Sequence, residues 1–582
     1  MSPDRTRRLS GGEVALTLGV VLGFGLLVLL PLALVMGQAL LPDLLEGHVP
    51  HLSLAGLQHS LANPRSITAI THTALLSVLA ATTATLLGFC YAVMLTRTDV
   101  ACRWLLSITP GLIFLTPGYL KALAWVLLMS PGGYLAQFGL LSDAASDAFF
   151  GIGGLVFVHT LNLFPLACFV VSAAMAGLGG EFEDAARTVG ASARGAWLRV
   201  NLPLLAPALA LAFLAIFAEV ASDFGMASTI ARSIDFGLLT YSIATAIENF
   251  PVDFQLAGSQ ALVLLSMLSA ALLLDRMLRR QRRVRLISGR ARPARIYRLG
   301  AWRYPVAAVG LLVSLLAVWL PMAAIIARSM ARTLGQGLVS SNMTWRYIDQ
   351  ALTLGLPANQ ALLRSLGFAS ITALVCGVLA LLLAWRLDQG GRVLRNAVLA
   401  VSMGAMAIPG VVMGLGYILM WNRLPVFSAS GLYGTWPLLV LGYISHGLPY
   451  ALVVVLPAIG QISPNLLDAA RLYGASAATR LVRIVVPLIA LSLITSVLLV
   501  FTRTVFELPI SQLLQPTSGA PAPSVIVRYF GNDNDGIGSA LSLLAIVATG
   551  GSAGLLWLAA RAAGRAVWGK GVGDMVGMPG GR

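Results

Sequence analysis

The chain has 582 residues, 58% of them hydrophobic and 11% charged, with a mean hydropathy of +0.84. A soluble protein carries roughly 25% charged residues, so a water-soluble globule is excluded and lipid must form part of the solvent. The net charge of +16 does not point to nucleic acid, because the arginines stand between apolar runs and not on a polar domain.

Arg5, Arg7 and Arg8 precede an apolar run from Val14 to Leu40. That run exceeds the core of a cleaved signal peptide and reads as a retained first helix. Further runs long enough to span a bilayer fall at 66–95, 104–129, 151–178, 202–222 and 256–275. A second set falls at 304–327, 365–385, 396–420, 436–460, 485–506 and 539–560. The expected fold is an all-α integral membrane protein of about 12 transmembrane helices.

Arginines cluster in alternate connections, and the 276–303 stretch alone holds eleven of them and no acid. The connection at 131–150 has Asp143 and Asp147 and no base. This asymmetry predicts cytoplasmic termini and a cytoplasmic linker. Six spans on each side of the linker give two parallel, pseudo-symmetric halves: 1–275, the Arg-rich linker 276–303, and 304–582.

Two polar connections nearly repeat each other. Asp184-Ala185-Ala186, Gly190 and Pro203 recur as Asp468-Ala469-Ala470, Gly474 and Pro487, and about half of the positions from Asp184 to Leu209 match without a gap. Each copy reads as a short helix, a glycine break and a second short helix. The acid suits a positive helix end, the alanines allow close approach, the glycine permits the turn, and the proline opens the next span. Thr116-Pro117-Gly118 and Ile408-Pro409-Gly410 mark further equivalent places.

The spacing of these loops, about 181–203 and 464–487, resembles the hallmark loop of bacterial ABC importer permeases: Glu-Ala-Ala, three residues, Gly, nine residues, then Ile-x-Leu-Pro. Asp replaces Glu in both copies, and Val486 replaces Leu in the second. Two copies in one chain resemble the fused permeases of the ferric-iron, thiamine and aminoethylphosphonate type. The resemblance implies that both loops dock in clefts of a homodimeric ABC ATPase. It also implies a periplasmic solute-binding protein as partner, beside membrane lipid, and an inner-membrane location. ATP and Mg would sit on the ATPase, so this chain would bind no cofactor and catalyse nothing. Gly564 to Lys570 fits GxxxxGK, but Gly571 follows and no strand-to-helix context surrounds it, so it is read as accidental. Ferric iron is the first expectation for cargo, with thiamine, 2-aminoethylphosphonate and polyamine open. An ion-coupled secondary transporter is the alternative of another class.

Charges within spans cost at least ~2.5 kcal/mol and are functional candidates. Glu219 and Asp223 lie at i, i+4 near the outer end of one span, and Arg503 and Glu507 hold the matching places. Two readings stay open: a lining of the translocation path, with Glu219 facing Arg503 across the axis, or a local Arg503–Glu507 pair beside solvated acids. Lys121 reads as snorkelling. His159 and His446 read as packed or solvated. The cysteines and histidines show no metal-ligand spacing, so no metal site is expected.

Overall fold

The computed structural model describes residues 11–41, 52–178, 180–232, 234–281, 296–389 and 392–568. Residues 282–295, half of the Arg-rich linker, and both extreme termini lie outside these residues. Among the described residues there is no β-strand, only isolated bridges at Thr98–Tyr297 and Ala331–Met343. Among the described residues nine helices are long and apolar enough to cross a membrane, or up to 12 if each bent pair is one span.

The first repeat consists of α1 (Gly11–Leu40), α2 (Pro64–Arg97), α3 (Arg103–Leu115), α4 (Gly118–Met129), α5 (Ile152–Ala176), α6 (Glu181–Thr188), α7 (Leu202–Ser222), α8 (Leu239–Glu248) and α9 (Phe254–Gln281). The second consists of α10 (Arg303–Ser314), α11 (Leu320–Ser329), α12 (Pro357–Gln389), α13 (Arg392–Met406), α14 (Gly410–Arg423), α15 (Trp436–Ile459), α16 (Pro464–Leu472), α17 (Ala490–Val505), α18 (Ala522–Gly531) and α19 (Asp535–Trp568). In each repeat three long helices pack together: α2 with α5 and α7, and α12 with α15 and α17.

Residues 104–129 and 396–420, expected as single spans, are each two helices, bent by 104° and 103°. Pro117 and Pro409 explain the breaks. A proline has no N–H to continue the ladder and disfavours helix in the residue before it, so each sits just outside the next helix as its N-cap. Breaking a helix in an apolar setting orphans carbonyls that must find donors. Lys121 Nζ donates to the Ile113 carbonyl at 2.9 Å. This lysine is only 5% exposed. It therefore does not snorkel; it serves the negative end of α3. At the second elbow the Tyr450 hydroxyl reaches the Met406 carbonyl at 3.4 Å.

The opening helices bridge the repeats. α1 packs on α9 of its own repeat and on α14 of the other, and α11 on α19 of its own repeat and on α4 of the other. Accordingly Phe24, Val28 and Val35 join a hydrophobic cluster that takes in residues of both repeats, while Ala317, Val318 and Ala324 join one drawn mostly from the first repeat. Pro31 lies inside α1, so the Leu27 carbonyl four residues earlier loses its helical donor. The fully buried Tyr417 supplies one, its hydroxyl reaching Leu27 O at 3.1 Å. Gly416 permits the approach: a Cβ there would stand 2.6 Å from the Pro31 carbonyl oxygen. On the opposite side from the repeated loops, Arg328 at the end of α11 pairs with Asp535 at the start of α19 at 2.5 Å, and its other Nη donates to Ala331 O at 2.5 Å.

Candidate functional site: paired loops and a polar lining

The two repeated loops have the same backbone construction. Gly190 has a φ of +90° and Gly474 one of +78°, a region that costs a side-chain-bearing residue energy. Gly190 N–H donates to Arg187 O and Ala191 N–H to Ala186 O, both at 3.0 Å. Gly474 N–H donates to Arg471 O at 2.9 Å and Ala475 N–H to Ala470 O at 3.0 Å. These paired bonds close the carbonyl ends of α6 and α16. The hydroxyls of Ser192 and Ser476 then accept from the N–H of Gly195 and Thr479, both at 3.1 Å, and start the next turn. Sequence reasoning missed these serines, although their recurrence beside each glycine was a usable signal.

Asp184 and Ala185 are exposed and Ala186 half-buried, and Asp468, Ala469 and Ala470 repeat that pattern. Asp468 pairs with Arg471 at 2.9 Å. Beyond the glycine, Pro203 is in the first turn of α7. Pro487 differs from expectation. It sits in a three-residue helix, Val486–Leu488, and a 77° bend separates this stretch from α17. The first loop therefore joins its span through continuous helix, while the second joins through a kink at Ile489.

At the far ends of α7 and α17 the four charged candidates divide into two layers. Glu219 and Arg503 are exposed. No ion pair joins Glu219 to Arg503, or Arg503 to Glu507, within 4.0 Å. Arg503 instead donates to the Tyr450 hydroxyl at 3.0 Å and lies 4.2 Å above that ring. It remains within Coulombic range of Glu219 and Glu507. Because α7 and α17 are matching elements of the two repeats, this range joins the repeats.

Asp223 and Glu507 form the second layer, each facing a histidine. His159 Nε2 lies 3.8 Å from Asp223 Oδ2, and His446 Nε2 lies 3.9 Å from Glu507 Oε2. Counted from Pro165 and Pro449, the two histidines differ by three residues, about one helical turn, so linear comparison did not align them. Asp223 also accepts from the N–H of Gly225 at 3.1 Å and of Met226 at 3.0 Å, and so shapes the chain leaving α7. Glu507 is less satisfied: its Oε1 is buried without a protein hydrogen-bond partner. A Cβ on Gly410 would approach that oxygen to 2.8 Å, so the carboxylate rests against the second elbow. Tyr443, His446, Tyr450, Arg503 and Glu507 enclose a cavity of about 10 Å³, about the space of one water. Among the described residues no three His, Cys, Asp or Glu side chains gather as a metal-ion site.

Residues 376–561 match the family described as binding-protein-dependent transport system inner membrane component. A putative ferric transport system permease protein of Haemophilus influenzae is 23% identical over 444 residues, covering 75% of this chain and 68% of the relative. A ferric transport system permease protein of Actinobacillus pleuropneumoniae is 23% identical over 480 residues, covering 80% of this chain and 67% of the relative. A sulfate transport system permease protein of Salmonella typhimurium is 28% identical over 45% of this chain and 90% of its own length. A multi-pass helical fold with these likenesses supports a permease of the binding-protein-dependent ABC importer class, the membrane component of such an importer. Within it, the ferric-transport relatives match along three quarters or more of this chain, and the sulfate-transport relative along less than half.

Proposed function

We propose that this permease carries ferric iron from periplasm to cytoplasm by alternating access. Residues 1–275 and 304–582 act as two halves about an axis along the membrane normal, with both termini and both repeated loops in the cytoplasm. A homodimeric ATPase grips one loop in each cleft and holds the ATP and Mg. ATP-driven closure moves the loops together, and the attached spans tilt. A periplasmic binding protein delivers the cargo to the opposite face.

The observation that carries this reading is mechanical. Each loop has the same glycine-closed geometry, and each leads along one span to the polar layers at Glu219–Asp223 or Arg503–Glu507. A helix rises 1.5 Å per residue, so α7 delivers a displacement at the first loop to Glu219 about 25 Å away. Those four residues line the path. The length over which the ferric-transport relatives match supports the choice of cargo.

The test is uptake of radioactive ferric iron into vesicles holding the purified permease and its ATPase, with loaded binding protein outside. Accumulation should require ATP within the lumen. Equal accumulation without nucleotide, or without the ATPase, would overturn the mechanism; ATP-dependent uptake of another solute alone would overturn the cargo.

A further inference from the structure

The two loops share a backbone but not a surface. At the tip before the glycine, the first copy carries Thr188 and Val189 and the second Leu472 and Tyr473. Val189 is 84% exposed, Leu472 89% and Tyr473 93%. The first helix also bears three acids in its first turn, Glu181, Glu183 and Asp184, whereas the second has none there. Glu183 is buried and accepts a hydrogen bond from the Tyr297 hydroxyl just after the linker. The second helix begins at Pro464, exposes Leu466 and neutralises Asp468 with Arg471.

We infer that the second loop is the principal anchor of the ATPase and that the first is a weaker, acidic contact. This rests on the docking role proposed above. A leucine and a tyrosine projecting fully into water gain far more from an apolar pocket than a threonine and a valine, and tyrosine is a favoured interface anchor. The occupant is the ATPase subunit, because the permease class requires one and, among the described residues, nothing covers these tips. Its cleft must combine an apolar floor for Leu472 and Tyr473 with a basic rim for the exposed Asp184. In a homodimer the same cleft meets both loops, and the first leaves its apolar floor partly unfilled.

The experiment measures ATPase binding to the full permease in nanodiscs. Paired Leu472→Ser and Tyr473→Ser should weaken binding at least tenfold, equivalent to about 1.4 kcal/mol, whereas paired Thr188→Ala and Val189→Ala should weaken it less than threefold. Transplanting the second tip by Thr188→Leu and Val189→Tyr should strengthen binding. These positions are exposed, so size-exclusion profiles should match the parent. Equal losses from the two loops, or no gain from the transplant, would overturn the asymmetry while leaving docking intact. Unchanged binding in both loop variants and in Gly474→Asp would overturn docking itself.

Discussion

Replacing Gly474 tests whether loop geometry or loop surface governs coupling. A Cβ built there meets nothing within 4 Å, so alanine brings no clash. What remains is the backbone: φ is +78°, and the left-handed region costs a non-glycine residue roughly 1–2 kcal/mol. That is roughly a five- to thirtyfold shift of the loop away from its closed form, too little to unfold a large membrane protein. Asparagine and aspartate tolerate this conformation better, and aspartate adds an exposed charge. Expression and membrane insertion should therefore be normal for all three variants. ATP hydrolysis stimulated by loaded binding protein, and uptake per ATP, should fall several-fold in Gly474→Ala, little in Gly474→Asn, and most in Gly474→Asp. Gly190→Asp should likewise stay in the membrane and uncouple transport. Normal uptake per ATP in both aspartate variants, or equal behaviour of alanine and asparagine, would refute the reasoning.

Arg503→Gln should reduce uptake at least tenfold with the ATPase still bound, and Arg503→Lys should recover part of it; vesicle transport beside a co-purification assay checks both. Tyr417→Phe leaves the Leu27 carbonyl without its donor and should cost about 1–3 kcal/mol, read as a lower melting midpoint in detergent. Asp535→Ala strands Arg328 beside a single backbone carbonyl. It should lower thermal stability by up to about 3 kcal/mol, discounted because Asp535 keeps some solvent contact.

The spans were legible because a bilayer demands long apolar runs, and hydropathy records them directly. The loops were legible because a polar island in such a chain stands out, and Gly190 and Gly474 do adopt the backbone that their spacing suggested. The elbows were not. Thr116-Pro117-Gly118 and Ile408-Pro409-Gly410 interrupt the helix without interrupting hydropathy, so a length criterion passes over them. Lys121 was misread for the same reason: its partner is a carbonyl orphaned by that hidden break. The acids were found by their charge. Their histidines were noticed but read as packed or solvated, since a one-turn offset between the repeats hides their shared pairing with the acids from linear alignment. Arg503 was expected to seek a carboxylate and instead takes an aromatic hydroxyl, a choice set by α15, which sequence spacing does not locate.

The bridging of the repeats by their opening helices governs how the molecule can be made. Until the ribosome has passed Ser329, the first repeat lacks the helix that packs against α4, while α1, seated on α9, awaits its second contact from α14. Neither repeat is a finished object that could mature first and wait for its sibling. Biogenesis must therefore be concerted late in synthesis, and a truncated product would display greasy seams to the quality-control machinery of the membrane.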